Sequence, residues 1–370
     1  MKYLICFGTR PEVIKMAPII LEMERRGLQP VFCTTGQHRE MLDQMLKVFK
    51  IVPHYDLDLM KAGQSLNSLS AEIFKEIDSV FDQEEPDVVL VQGDTTTANI
   101  IAQAAFHRKI AVGHIEAGLR TYQRYSPFPE EINRQLISRI ATWHFTPTKK
   151  ATENLLSEGI KEEAIVLTGN TVIDSLKMIE SELDAETISN NLGLKLTNFE
   201  KMILVTGHRR ENFGKGTVEV CNSLLELSKN KELLIVFPVH LNPGTKMIVE
   251  ERLKEQLNIR LLPPVNYPEM VWLISNCDLI ISDSGGIQEE APTFKKPVLV
   301  TRDYTEREEA VEAGFSILTG SNSQNILSHA FRILKDPPNF EGVENPFGDG
   351  NAAKRIVDFL EKQATSTGLS

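Results

Sequence analysis

Short runs of β-branched and aliphatic residues alternate along this chain with longer amphipathic segments of helical spacing, the pattern of parallel strands joined by crossover helices. Strands are predicted over 3–7, 31–35, 88–92, 110–115 and 143–146. After a polar, helix-rich stretch from 181 to 200, a second series is predicted over 202–206, 233–238, 259–262, 279–282 and 297–300. Two doubly wound, Rossmann-like α/β domains follow. The first is expected over 1–168 with a returning helix at 353–370, and the second over 169–352. In such sheets ligands lie beyond the carboxyl ends of the strands, which makes the cleft between the domains the expected active site. The segment 336–351 is rich in Pro and Gly and reads as a loop, after which 352–363 resumes helical spacing.

The chemically loaded clusters fall where strands end. Gly8-Thr9-Arg10-Pro11-Glu12 follows the first strand, with Lys15 about a turn further on. Gly93-Asp94-Thr95 follows the strand at 88–92, and Gly113 to Arg120, which includes Glu116, closes the next. In the second series Gly207-His208-Arg209-Arg210-Glu211-Asn212 and Val239-His240-Leu241-Asn242-Pro243 hold the same kind of position. Each residue also has a plainer account. Arg10 and Lys15 suit a phosphate or sugar, and equally suit a solvated surface. Asp94 reads as a helix cap. Glu116 in an apolar segment requires a buried partner such as Arg120. Glu130 and Arg134 are explained by an i,i+4 ion pair on a helix entered through Ser126-Pro127-Phe128-Pro129. For the whole set, convergence on one site is the better account.

The most specific local signal is CDLIISDSGGIQEE, where an apolar strand runs into Ser284-Gly285-Gly286 and a helix start. Glycines let a ligand approach the backbone, and a first helical turn offers unpaired N–H groups to an anion, so the segment reads as a phosphate cradle. Glu290, about one turn on, is placed to accept hydrogen bonds from ribose hydroxyls.

Composition narrows the class. At 370 residues the chain exceeds one compact core, and about 150 residues per domain suggests two. Hydrophobic residues at 41% and charged ones at 25% describe a globular protein. A net charge of -11 argues against a nucleic-acid partner, leaving any anionic ligand to local Arg and Lys. No signal peptide or membrane span is legible, so a cytoplasmic protein is expected. Cys6, Cys33, Cys221 and Cys277 lack metal-ligand or disulfide spacing and lie in apolar segments, where buried thiols are expected. There is no Gly-x-Gly-x-x-Gly after the first strand, no P-loop and no metal-ligand cluster, so no cofactor and no metal are expected. Acid–base chemistry on a nucleotide-linked substrate remains.

The ordered motifs GTRPEVIKMAP, TGQHREMLDQML, VQGDTTTA, GHIEAGLRT, YSPFPEEINRQL, TGNTVID, GHRREN, PVHLNP, SDSGGIQEEAP and RDYTER resemble those of the non-hydrolysing UDP-N-acetylglucosamine 2-epimerases, over nearly the whole chain. The resemblance implies a GT-B-like fold, a homodimer and interconversion of UDP-GlcNAc and UDP-ManNAc, feeding envelope polysaccharides. It implies elimination of UDP to a 2-acetamidoglucal and re-addition after protonation of C2 on the other face. By the same resemblance Asp94, Glu116 and Glu130 are acid–base carboxylates and His208 a further catalytic group. Arg10, Lys15, Arg134, His240, Met270 and Arg307 match substrate-contacting positions, Ser284, Gly285 and Gly286 the diphosphate contacts, and Glu290 the ribose contact.

Bacterial members of that family often take UDP-GlcNAc also as an activator, and Gln37, His38 and Arg209 or Arg210 fit that site. Gly63 departs from the arginine many relatives carry in this segment. Tyr304 and Glu308 stand for a threonine and a proline, and Gln123-Arg124 for a small or acidic pair. Rival readings share the UDP cradle: a GT-B glycosyltransferase, which would need an acceptor groove; a hydrolysing epimerase, whose relatives tend to start Arg-Ala-Glu rather than Arg10-Pro11-Glu12; and a UDP-sugar sensor, which leaves the carboxylates unexplained.

Overall fold

A computed structural model describes residues 1–36, 39–61, 63–207, 214–239 and 242–366. Gln37, His38, His208, Arg209, Arg210 and His240 lie outside the described residues. The chain forms two compact units, Met1–Ser175 with Phe347–Ser370, and Leu176–Pro346.

The first unit is built on strands β1 (Tyr3–Phe7), β2 (Val31–Thr34), β3 (Tyr55–Asp56), β4 (Val88–Gln92), β5 (Ala111–Ile115), β6 (Trp143–Thr146) and β7 (Ile165–Leu167). Among the described residues they form a seven-stranded parallel sheet in the order β3-β2-β1-β4-β5-β6-β7. The chain runs outward from β1 to β3, then resumes on the other side of β1 with β4. That reversal parts the loops after β1 and β4, the switch point at which such sheets receive ligands. Burial explains the apolar runs: all five residues of β1 and all five of β4 are buried, as helices on both faces demand.

The helix Arg10–Arg25 begins on an N-cap at Thr9 and has Pro18 in its interior. Proline has no N–H for the carbonyl four residues back, which is Ile14, and the Ser175 hydroxyl donates to that carbonyl instead. The helix Ala352–Ser366 packs against the same helix. Arg26 anchors it by ion pairs to Asp358 and Glu361, both at 2.6 Å, and Phe359 meets Trp143 and Phe145 edge-on. Asp174 accepts from the Ala352 and Ala353 N–H groups at 3.2 and 2.9 Å, capping the start of this helix.

The second unit repeats the scheme with β8 (Lys201–Thr206), β9 (Leu233–Pro238), β10 (Ile259–Leu262), β11 (Leu279–Ser282), β12 (Val298–Val300) and β13 (Ser316–Leu318). Their order is β10-β9-β8-β11-β12-β13, again parallel, with the reversal between β8 and β11. Alternate residues of β8 point to opposite faces: Ile203 and Val205 join one apolar core, Met202 and Leu204 the other.

Ten predicted strands are present, with ends moved by a residue at most. Strands β3, β7 and β13 were not predicted. They have two or three residues each and lie at sheet edges, too short to display a periodicity. The segment 336–351 holds neither helix nor strand. Cys6, Cys33, Cys221 and Cys277 are free and buried. Among the described residues no helix is long and apolar enough to cross a membrane.

Candidate active site

In the first unit, Glu116 after β5 and Asp94 after β4 each stand at the centre of their own set of polar contacts, with Lys15 of the helix after β1 belonging to that of Glu116. Glu116 has φ +63°, a backbone conformation that residues with a side chain adopt at some cost and that surrounding contacts must hold. Those contacts are specific. Lys15 forms an ion pair with Oε1, Gln92 Nε2 donates to Oε2 at 2.6 Å, and Asn170 Nδ2 donates to Oε1 at 2.9 Å. Gln92 ends β4 in register with Ile115, which places its amide beside the residue after β5. Arg120 is not the partner of Glu116. Its side chain is fully buried and paired with Glu158 at 2.7 Å, and it donates to Ser138 Oγ at 2.8 Å.

Asp94 is not the cap of the following helix. Thr95 performs that role for Thr96–His107, accepting from the Ala98 N–H at 3.0 Å. The Asp94 carboxylate instead receives Arg134, whose Nε lies 3.1 Å from Oδ2. Asn133, one residue earlier on the same helix, donates to the Asp94 carbonyl at 2.8 Å. The helix Glu130–Ile140 therefore reaches the loop after β4 with two successive side chains. Arg134 also lies 3.4 Å from Glu131, so the i,i+4 pairing with Glu130 gives way to partners at i−3 and across the unit. Glu130 itself is half-buried at the first turn. Arg10 is exposed at the first turn of its helix.

Three buried groups have structural roles that the sequence reading did not assign. Glu131 is fully buried and accepts from the Thr121 and Tyr122 N–H groups at 2.9 and 3.1 Å, fixing the chain after Arg120. His114 on β5 holds the Gly93 carbonyl through Nε2 at 2.7 Å, so that nitrogen carries the proton. Burial pushes the His114 pKa down to about 3, and the ring is neutral at physiological pH. Glu12, also buried, accepts from the Gly8 and Thr9 N–H groups. The sequence signals for Glu12 were its place in the polar cluster after the first strand and its position three residues after Thr9, a capping-box spacing.

In the second unit Ser284 precedes the six-residue helix Gly285–Glu290 at the end of β11. A Cβ on Gly285 would lie 3.1 Å from Arg307 Cζ, so the guanidinium rests against this glycine and would have to shift to admit a side chain. Arg307 is held there by Glu289 at 2.7 Å, and Glu306 lies 3.6 Å from its other amino group. Burial raises the Glu306 pKa, but Arg307 and Arg302 outweigh it and hold this carboxyl down at about 2. Glu290 closes the short helix, buried, with the Tyr267 hydroxyl donating to Oε1 at 3.0 Å. Met270 is half-buried on the helix Tyr267–Asn276 against the apolar core beside Trp272. An anion over Ser284 to Gly286 would thus meet N–H groups of a helix start and a cation fixed by two carboxylates.

The family model described as UDP-N-acetylglucosamine 2-epimerase matches residues 21–361. The chain belongs to that family. The UDP-N-acetylglucosamine 2-epimerase of Neisseria meningitidis serogroup A is 47% identical over 98% of this chain and 100% of its own length. A crystal structure of UDP-GlcNAc 2-epimerase from N. meningitidis bound to UDP-GlcNAc superposes with a TM-score of 0.90 at 47% identity, covering 98% of this chain and 100% of that one. A Staphylococcus aureus MnaA–UDP structure gives a TM-score of 0.88 at 41% identity, covering 98% and 97%. A glycotransferase structure at 12% identity still gives 0.67 over 98% of each chain, so the family shares its two-domain GT-B-like fold with glycosyltransferases.

Proposed function

We propose that the protein interconverts UDP-GlcNAc and UDP-ManNAc without releasing free sugar. The observation that carries this reading is the pair of carboxylates after β4 and β5: Asp94 on the Arg134 guanidinium, and Glu116 held by Lys15, Gln92 and Asn170, in a chain 47% identical to one crystallised with UDP-GlcNAc.

The C2 proton of the sugar is not next to a carbonyl, so direct removal would leave an unstabilised carbanion. Cleaving the anomeric C1–O bond first sends its electron pair to UDP and puts cationic character on C1, which acidifies C2. A carboxylate takes the C2 proton, the C1–C2 double bond forms, and 2-acetamidoglucal stands beside UDP. Protonation of C2 on the opposite face and return of the UDP oxygen to C1 complete an isomerisation with no net redox change. Two proton-handling groups are required, and Asp94, Glu116 and Glu130 are the candidates. His208 is proposed as a further catalytic group on sequence alone.

The departing diphosphate needs cations and N–H groups. Ser284, Gly285, Gly286 and Arg307 are assigned to it, with Glu290 on the ribose. Arg10, Lys15, Arg134, His240 and Met270 complete the proposed substrate contacts. A homodimer, a cytoplasmic location and a role in supplying envelope polysaccharide belong to the same proposal. So does a UDP-GlcNAc activator site at Gln37, His38 and Arg209 or Arg210.

Proton NMR of the protein with UDP-GlcNAc in D2O tests the reading. UDP-ManNAc carrying deuterium at C2 is the expected product. Free ManNAc with UDP would move the protein to the hydrolysing class, and retention of the C2 proton in the product would rule out the elimination route.

A further inference from the structure

Glu12 is 1% exposed and has no part in the roles above. It is the third residue of the helix Arg10–Arg25, and its Oε2 accepts from the Gly8 N–H at 3.0 Å, the Thr9 N–H at 2.8 Å and the Thr9 hydroxyl at 2.7 Å. These contacts make a capping box. Its other oxygen does something no cap requires. Oε1 accepts from the Thr95 hydroxyl at 2.9 Å, a residue 83 positions away. Thr95 is at once the N-cap of the helix Thr96–His107 and the neighbour of Asp94.

The fit around this contact is close. A Cβ on Gly8 would lie 2.6 Å from Thr97 Oγ1, so the end of β1 is pressed against the start of the Thr96–His107 helix. Thr97 in turn shares a hydrogen bond of 2.8 Å with Thr35 after β2. Placing an acid here carries a cost: burial pushes the Glu12 pKa up to about 7, although hydrogen bonds from Thr9, Thr95 and Gly8 pull it down. A helix cap alone does not call for this burial, because capping-box glutamates function at the surface with water as a further partner.

We infer that Glu12 is a positioning residue for the reaction: its carboxylate ties the end of β1, which leads to Arg10, to the end of β4, which carries Asp94, and so sets the place of the Asp94 carboxylate. Asn133 on the Asp94 carbonyl and Glu12 on Thr95 hold this loop from two sides. The inference rests on the proposed role of Asp94 in epimerisation.

Three variants test it. Glu12→Gln keeps the shape and can still accept from Gly8 and Thr9 through its one carbonyl oxygen. Thr95→Val removes the link to Glu12 together with the cap on the Ala98 N–H, and Thr95→Ser keeps the hydroxyl for both. Glu12→Gln and Thr95→Val are expected to lower kcat by about 10- to 100-fold with KM changed less than about threefold, since misplacement of a reacting group acts on the chemical step. Thr95→Ser is expected to stay within about threefold of the parent, and the Glu12→Gln/Thr95→Val double variant to be no slower than the slower single one. Multiplying losses, or an unchanged kcat in folded Glu12→Gln, would overturn the inference. If Glu12→Gln does not fold, amide exchange of Thr95→Val decides: faster exchange in 8–12 as well as 94–98 supports the tie, whereas loosening confined to 94–98 reflects the lost cap alone and overturns it.

Amide hydrogen exchange gives a readout independent of catalysis. In Glu12→Gln both 8–12 and 94–98 are expected to exchange about tenfold faster, whereas loosening confined to 8–12 would make Glu12 a local cap only and overturn the inference. A parent protein that leaves C2 of UDP-GlcNAc untouched would defeat the epimerase reading; the exchange data would still decide whether Glu12 ties the two loops.

Discussion

Asn170 donates its side-chain amide to Glu116 Oε1 at 2.9 Å, while its main-chain N–H donates to the Phe347 carbonyl at 2.7 Å. Its own side-chain carbonyl accepts from the Val172 N–H at 3.1 Å, which fixes the amide orientation at the start of the helix Thr171–Glu182. Gly169 and Gly348 make the approach possible, since a Cβ on Gly169 would lie 3.3 Å from Gly348 Cα. A carboxylate in a left-handed backbone conformation is thus oriented from the point where the chain re-enters the first unit.

Removing that contact is expected to slow the chemistry. Asn170→Ala should lower kcat by about tenfold or more with KM nearly constant, because Glu116 keeps its Lys15 partner and loses its orientation. Steady-state epimerisation rates check this, and a KM increase with unchanged kcat would assign Asn170 to substrate binding instead.

Asp94→Asn separates binding from turnover. UDP affinity, measured by calorimetry, should remain within about threefold, while deuterium incorporation at C2 disappears. Equal loss of both would remove Asp94 from the proton-transfer step.

Asp174 predicts a pH-dependent stability. Burial raises its folded-state pKa to about 6 from the ordinary 3.8, despite the N–H groups of Ala353 and Ala352. The folded state therefore holds a proton that the unfolded state has released, and the associated stability is complete below about pH 4 and lost as pH rises through 6. Asp174→Asn is permanently neutral. The stability difference, parent minus variant, should fall by about 2–3 kcal/mol between pH 4 and pH 7, a figure that follows from two pKa units at 1.36 kcal/mol each. Denaturant unfolding across that range measures it, and a flat difference would contradict the burial cost.

Two glycines with similar backbone angles should respond differently to alanine. At Gly118, φ +89°, a Cβ would lie 2.8 Å from the Ala151 carbonyl carbon, a backbone atom that cannot step aside. At Gly159, φ +80°, nothing lies within 4 Å. Gly159→Ala should cost about 1–2 kcal/mol, the strain of the left-handed conformation alone, and Gly118→Ala at least about 2 kcal/mol more. Thermal melts of the two variants provide the comparison.

Much of the fold was legible in the sequence because parallel sheets buried on both faces demand unbroken apolar runs. Tyr3–Phe7 and Val88–Gln92 are five buried residues each, and such runs admit few other readings. The short edge strands Tyr55–Asp56 and Ser316–Leu318 were invisible because pairing to a neighbour, not their own pattern, makes them strands.

The sequence by itself determined which residues stand at strand ends, since Gly93-Asp94 and Ser284-Gly285-Gly286 follow apolar runs directly, and its ordered motifs pointed to the family. It did not determine who pairs with whom. Arg120 was nearest in the chain to Glu116, yet it lies buried on Glu158, and Lys15 and Asn170, 101 and 54 positions from Glu116, take its carboxylate. Arg134 passed over the residue four back on its own helix for Asp94, 40 positions away. Ion pairs and hydrogen bonds reach only a few ångströms, and the sheet order, which sets β1 beside β4 and β4 beside β5, decides which distant side chains come within that reach.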